Sequence, residues 1–480
     1  MWLSGGNAAV SGDETNVVYS SAAEIESAIP SPMPTFSDFI MKDFLGRCDQ
    51  MAIMVANPDG STATRTFGEL HADVNSVAAE LRTQLDFGEH DRAMLVSPNH
   101  AVKSSTARCE CSDLTWTAPC PLQDFFSAVH GVLKTGGVLS PVNPLYTTEE
   151  LGNQLNDSQS KVVIAHPFCL DKAVAAAKAS NRGDVKVVTL GSECPLGGET
   201  LPFDALKGSG LMAPDLGPMA DDRLATLPYS SGTTGLPKGT MLTHRNLIAN
   251  VLQLATYDTD FYDDDECLVS PLPFFHIYGF TASANATLRR GTPLITFPAF
   301  DLELFLNVIQ EHKCTRAHLV PPIILGLAKH PLVDKYDLSS LKSIVSGAAP
   351  LGVEVEVACR ERLGKNLVVK QAWGMSELSP VGTCNPDDRS RSGSSGLIMP
   401  SMAFKIADLK TGEALPRNEE GEVLCKGPNV MVGYLENEEG TNKTFEGGDP
   451  SSGWLRTGDI GYIDDDGYVF FTDRLKELIK

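Results

Sequence analysis

The chain has 480 residues, 42% of them hydrophobic, which is enough to bury a large core and long enough for two or three lobes. Its 61 acidic against 39 basic residues give a formal charge of -22; such a chain repels polyanions, which argues against wrapping DNA or RNA but leaves room for a local basic pocket around a phosphate. The start, Met1 to Asn16, has no basic leader region, and no run reaches the roughly 18 apolar residues of a membrane span, so no integral membrane segment is expected. Eleven cysteines, an odd number scattered along the chain, suit a reducing, cytosol-like compartment.

In chain order, the runs Ala93 to Ser97, Lys161 to His166 and Val185 to Leu190 are short, β-branched and bounded by turn residues, as buried strands are. Cys109, Cys111 and Cys120 cluster without the spacing of paired metal ligands. From Asp124 to Gly137, Phe125, Phe126, Val129, Val132 and Leu133 share one helical face, and Gly136 and Gly137 supply the stop. Alternating strand and helix predicts α/β layers with mostly parallel sheets. Arg389 to Gly396, RSRSGSSG, reads as a flexible loop. From about Gly421 the alternating texture and DG or GY turns predict antiparallel strands in a small β subdomain.

The most informative stretch is an apolar strand-like run ending in Ser230-Ser231-Gly232-Thr233-Thr234-Gly235-Leu236-Pro237-Lys238-Gly239. Small residues let backbone N–H groups close on an anion, hydroxyls add donors and a lysine adds a point charge, which is the chemistry of a triphosphate cradle. It is not a Walker loop, because no Gly-Lys-Ser/Thr follows at the required spacing. By composition alone an ordinary surface turn fits equally well.

The ten-residue segment resembles the signature of the adenylate-forming superfamily, and five further motifs follow in the family's order: PLPFFHIYGF (Pro271 to Phe280), SGAAPL (Ser346 to Leu351), QAWGMSE (Gln371 to Glu377), WLRTGD (Trp454 to Asp459) and DRLKELIK (Asp473 to Lys480). The resemblance runs from about Phe36 onward and is nearest to the acyl-CoA synthetase and 4-coumarate–CoA ligase-like branch. It implies an α/β fold in which a large N-terminal domain has two α/β subdomains with mostly parallel sheets and a small β-barrel-like subdomain from about residue 397. Residues 1–35 then form an N-terminal extension, 36–473 the AMP-binding, acyl-adenylating domain, and 474–480 the start of a hinge.

The implied reaction joins a carboxylic acid to AMP with release of pyrophosphate and then passes the acyl group to a thiol, with ATP and CoA as co-substrates and Mg2+ as metal. By resemblance, Ser230, Ser231, Gly232, Thr233, Thr234 and Lys238 hold the phosphates, Thr234 and Lys238 also serving catalysis, and Glu377 ligates magnesium, a hard cation that prefers oxygen. Ala348, Ala349, Gln371, Trp373, Gly374 and Ser376 belong to the adenine side, with Trp373 standing where the family commonly has tyrosine and so lacking its hydroxyl. Asp459 and Arg474 are expected at the ribose, and Lys476 and Lys480 at the hinge end of the nucleotide site. His276 falls beside the acyl carboxylate, and Tyr278, Ala282, Ala349, Pro380 and Val381 line the acyl tunnel, which points to an aryl or medium-chain acid.

Three departures stand beside this resemblance. Ala299 occupies a position where related ligases often carry a Lys or Arg for the nucleotide part of CoA, so another acceptor, a carrier-protein thiol or an oxygen, stays open. Residues 102–123 interrupt the family pattern as an insertion, either a retained intron or a surface loop. The chain stops inside the hinge motif, so the expectation is that the family's C-terminal lid domain is missing and that nucleotide binding goes with impaired turnover, as in a catalytically weak fragment from an incomplete gene. The expected location is cytoplasmic or peroxisomal; the oligomeric state is not readable.

Overall fold

The computed structural model of the protein describes residues 11–12, 16–20, 23–98, 123–192, 196–230, 237–257, 265–475 and 477. Gln123 opens a helix, Gln123–Lys134, and the rest of the expected insertion lies outside the described residues. No helix among the described residues is long and apolar enough to cross a membrane.

Among the described residues, two sheets carry the fold. In the first, Arg92–Val96, Val138–Val142, Val162–Ala165 and Lys186–Thr189 pair in parallel. Their continuous β-branched runs have no polar alternation because helices cover both faces. The helix Phe67–Leu85 starts on a reciprocal cap: Glu69 N donates to Thr66 Oγ1 at 3.1 Å and Thr66 N to Glu69 Oε2 at 2.9 Å. Helix Gln123–Lys134 packs against it with the five apolar residues of its predicted face buried, and the approach is close enough that a Cβ at Gly131 would lie 2.4 Å from Val77 Cγ1.

The second sheet begins parallel, in the spatial order Met51–Ala56, Leu294–Thr296, Leu268–Val269, Arg316–Leu319, Ser343–Ser346 and Val368–Gly374. It then turns antiparallel within the same sheet. The connection from Gly374 to Val381 is shorter than the dozen or so residues a parallel crossover needs, so Val381–Cys384 must fold back on Val368–Gly374, and their register shifts between Trp373 and Gly374. Gly396–Ile398, Tyr468–Arg474, Leu455–Ile463, Gly421–Lys426 and Ala403–Ala407 continue the antiparallel order.

Two local readings change. The residues ahead of Phe36 join the fold: Val18–Tyr19 pairs with Ala403–Ala407, and Ile25, Ile29 and Met33 are buried. The stretch Arg389 to Gly396 is tied down, because Arg391 pairs with Asp464 and, at 2.5 Å, with Asp466 while its guanidinium lies 4.2 Å over the Tyr468 ring.

A cluster of charges, buried for the most part with Lys342 reaching solvent, lies toward the N-terminal ends of the parallel strands. Lys370 Nζ and Arg316 Nη1 each lie 2.7 Å from Asp387, and Glu266 lies 2.7 Å from Lys342 and 3.4 Å from Arg316. Charges removed from water this way are tolerated only when paired.

Candidate active site

The opposite, C-terminal ends of Ser343–Ser346 and Val368–Gly374 are where an open parallel sheet leaves a crevice for ligands. The first sheet contributes the hairpin Tyr229–Ser230 and Lys238–Thr243, whose register sets Ser230 opposite Lys238. Ser231, Gly232, Thr233 and Thr234 lie outside the described residues. Strand Gly433–Tyr434 pairs with Thr240 and Met241, and this brings Tyr434 between the hairpin and the motif that follows Trp373.

Glu377 is buried and accepts a hydrogen bond from Tyr434 Oη at 2.7 Å, while Lys238 Nζ lies 4.9 Å from the centroid of the Tyr434 ring. Burial raises the carboxyl pKa, with the Tyr434 hydroxyl, its own backbone amide, Ser230 and the Lys238 charge pulling the other way. The phenol of Tyr434 is itself pushed up by burial and by the Glu377 charge. A buried carboxylate held by a neutral donor gains from a nearby cation, and an oxygen ligand of this kind fits magnesium.

Farther along the crevice, Trp373 Nε1 donates to Asp459 Oδ2 at 2.9 Å, and Arg474 Nε lies 3.3 Å from Asp459 Oδ1. Burial raises the pKa of Asp459, against the opposing hydrogen bond of Trp373 and the charge of Arg474. The indole thus brings a donor of its own where the expected loss was a tyrosine hydroxyl. Phe471 stacks on Trp373 with centroids 4.4 Å apart and planes at 20°.

Ala348 and Ala349 sit on an exposed turn in which Ala348 takes a φ of 70°, a conformation non-glycine residues adopt at a cost and often at functional sites. Gln371 supports that turn rather than standing free: its Oε1 accepts from Leu351 N at 2.8 Å. Ser376 is half-buried, and Gly374 is exposed at the hairpin, where a Cβ would lie 2.1 Å from the Pro380 carbonyl oxygen.

On the acyl side, Tyr278 opens the π-helical segment Tyr278–Asn285. Its ring lies so near the backbone that a Cβ at Gly347 would meet it at 2.8 Å, and its hydroxyl donates to Val345 O at 3.3 Å. His276 is exposed, yet desolvation by the neighbouring protein lowers its pKa; Nδ1 accepts from Tyr278 N at 3.3 Å, which leaves the proton of the neutral ring on Nε2. Ala282, Pro380 and Val381 are buried. Lys476 and Lys480 lie outside the described residues.

Tyr434 and Phe471 are site residues that sequence reading missed. Tyr434 stands in a stretch read only as an alternating strand, and its partners are 57 positions away at Glu377 and across a strand pairing at Thr240.

The family model for AMP-binding enzymes matches residues 122–435. A probable 4-coumarate–CoA ligase of Dictyostelium discoideum is 38% identical over 375 residues, 75% of this chain and 67% of that protein. A 4-coumarate–CoA ligase of Oryza sativa subsp. japonica is 34% identical over 462 residues, 94% of this chain and 78% of that protein. Among solved structures, ATP-bound MatB from Rhodopseudomonas palustris superposes with a TM-score of 0.74 at 26% identity, covering 92% of this chain and 79% of that one. An anthranilate CoA ligase with anthranoyl-AMP shares the fold at a TM-score of 0.78 and 22% identity, covering 94% and 79%. A family match over most of the sequence, together with a relative 38% identical across two thirds of its own length, shows that the chain belongs to the AMP-binding enzymes.

Proposed function

We propose that this chain is an ATP-dependent acid–thiol ligase that converts an aryl or medium-chain carboxylic acid to its acyl adenylate, releasing pyrophosphate, and then to its CoA thioester. The observation that carries the reading is the meeting of Glu377, Tyr434 and Lys238 beside the Ser230 hairpin. The acid's carboxylate oxygen attacks the α-phosphorus while the bond to pyrophosphate breaks, so the protein's task is to hold two anions together and to balance charge on the leaving group. Lys238 supplies a positive charge for the phosphates. Tyr434 fixes the carboxylate of Glu377, the residue that would hold magnesium; when bound, that ion would offset the phosphate charge. The hydrogen-bonded Asp459 is the acceptor for ribose hydroxyls, with Trp373 and Arg474 holding it in place. His276, neutral and with Nε2–H free of the Tyr278 contact, offers the acyl carboxylate a hydrogen bond without the strong ion pair that would blunt its nucleophilicity.

The 4-coumarate–CoA ligases among the relatives, with Tyr278 and the Pro380–Val381 pair in the branch's pattern, favour cinnamate-like or medium-chain acids over acetate and long-chain fatty acids. Ala299, buried where relatives often carry a cation, makes the acceptor a separate question. The test is acid-dependent ATP–pyrophosphate exchange over a panel from acetate to cinnamate and octanoate, followed by thioester formation with CoA. Exchange that is fastest with acetate overturns the acid class, and exchange without thioester overturns CoA as acceptor. ATP binding with no acid-dependent exchange anywhere in the panel overturns the reaction.

A further inference from the structure

Outside the crevice, two of the seven described cysteines stand out. The sulfurs of Cys267 and Cys314 lie 4.0 Å apart. Cys267 immediately precedes strand Leu268–Val269, and Cys314 lies two residues before Arg316–Leu319, its parallel neighbour. The backbones that carry them are already joined: Thr315 N and Arg316 N donate to the Cys267 carbonyl at 3.0 and 3.1 Å, and Cys267 N donates to Thr315 Oγ1 at 3.0 Å. The sulfurs therefore start close to the roughly 2.05 Å of a disulfide, on backbones already held beside each other. Cys267 is partly exposed and Cys314 fully buried, an arrangement in which one thiol meets the oxidant and the other resolves the product.

We propose that Cys267 and Cys314 form a dithiol modification site that a peroxide converts to an intramolecular disulfide between neighbouring strands. The Cys267 sulfur attacks one peroxide oxygen; an S–O bond forms, the O–O bond breaks, and the departing oxygen leaves as water, giving a sulfenic acid. The Cys314 sulfur then attacks the Cys267 sulfur; the S–S bond forms, the S–O bond breaks, and hydroxide leaves with the Cys314 thiol proton as a second water. Two thiols lose two electrons and one peroxide becomes two waters. The buried Cys314 thiol, its pKa raised by the contact with Cys267 and by burial, does not start the reaction.

The bridge falls beside Glu266, Thr315 and Arg316, at the end of the sheet away from the crevice. Oxidation should therefore raise the urea midpoint of unfolding while acid-dependent pyrophosphate exchange changes less than twofold. The test treats the whole chain with hydrogen peroxide, alkylates the remaining thiols and maps the peptides, with exposed Cys48 as internal control. The expected result is a linked Cys267–Cys314 peptide in most molecules, 2 mass units lighter than the reduced pair, cleaved by dithiothreitol, absent in Cys267→Ser and retained in Cys48→Ser. Oxidation of Cys48 while Cys267 and Cys314 both stay alkylatable overturns the proposal, as does over-oxidation of Cys267 without the link. Because mapping is done first on the unsubstituted chain, a variant that fails to fold leaves the answer intact.

Discussion

Two buried carboxylate clusters hang on the same strands and are finished differently. Toward the N-terminal ends, Asp387 is met at 2.7 Å by both Lys370 and Arg316, and Glu266 at 2.7 Å by Lys342. Just past the C-terminal end of Val368–Gly374, Glu377 is met at 2.7 Å by a neutral phenol, and its pKa is raised because burial outweighs the surrounding donors and the Lys238 charge. The first cluster is closed within the protein, and its work is to hold strands in place. The second leaves a charge to be balanced from outside. Burial alone does not mark a functional acid; burial beside a neutral donor, with the phosphate-loop lysine Lys238 nearby, makes Glu377 the candidate.

The largest effect expected from breaking this comparison is at Asp387. Asp387→Ala strands Lys370 and Arg316 without their shared partner, and removing one side of a buried ion pair costs about 3–5 kcal/mol. Urea unfolding should show that loss as a lowered midpoint; a loss under about 1 kcal/mol would mean the cluster is not architectural. Glu377→Gln should do the reverse. Acid-dependent pyrophosphate exchange should fall about a hundredfold or more, with a urea midpoint at pH 7 that is unchanged or higher. A carboxyl whose folded pKa is raised lowers stability once pH exceeds its unfolded value, and glutamine removes that burden. Equal exchange rates for the two proteins would end the assignment of Glu377.

How much of this was legible beforehand follows from where partners lie. The helical face at Phe125 to Leu133 was readable because its signal is local in sequence, and the phosphate-loop and Trp373 to Glu377 segments stood out as motifs for the same reason. Asp387 and Tyr434 were not, since Asp387 meets Arg316 71 positions away and Tyr434 meets Glu377 57 away. Arg389 to Gly396 looked like a flexible loop because Asp464 and Asp466, which pin Arg391, come more than seventy positions later. The stretch ahead of Phe36 reads as an extension outside the domain because Ile25, Ile29 and Met33 are too sparse to reveal a packed face on their own.

Histidines sharpen the contrast by a third route, as buried groups kept neutral. His130 is held down to about 4, by burial first, against the raising influence of Asn285 and Asp38 and with Lys134 lowering it. His244 is held down to about 3 by burial and Arg223, with Asp38 opposing. Each folded pKa lies below the ordinary 6.5, so the unfolded chain takes the proton first. Stability present above pH 6.5 should decline as pH falls toward 4, by about 1.4 kcal/mol per pH unit for each histidine. Urea midpoints between pH 7 and 5 check the slope; His130 and His244 imidazole signals that titrate near 6.5 in the folded protein would refute it.

The smallest effect concerns the phenol that separates the two clusters. Tyr434→Phe keeps the ring under Lys238 and removes only the hydrogen bond to Glu377, about 1.5 kcal/mol for a bond to a charged group, or about tenfold in exchange rate. The loss should be recovered in part by raising magnesium concentration, since the carboxylate remains but is less well held. A Tyr434→Phe protein as fast as the original would leave Glu377 positioned by its backbone alone.

The register shift between Trp373 and Gly374 bears on which length changes the chain can survive. Side chains in a strand alternate faces, so a single-residue insertion or deletion turns every later one over. Within Val368 to Trp373 that inversion would swing the indole away from Asp459, while the same change in the exposed turn at Gly447 and Gly448, where an added Cβ meets nothing within 4 Å, would be absorbed. Scanning single-codon indels across this sheet should therefore trace that strand as a narrow forbidden zone.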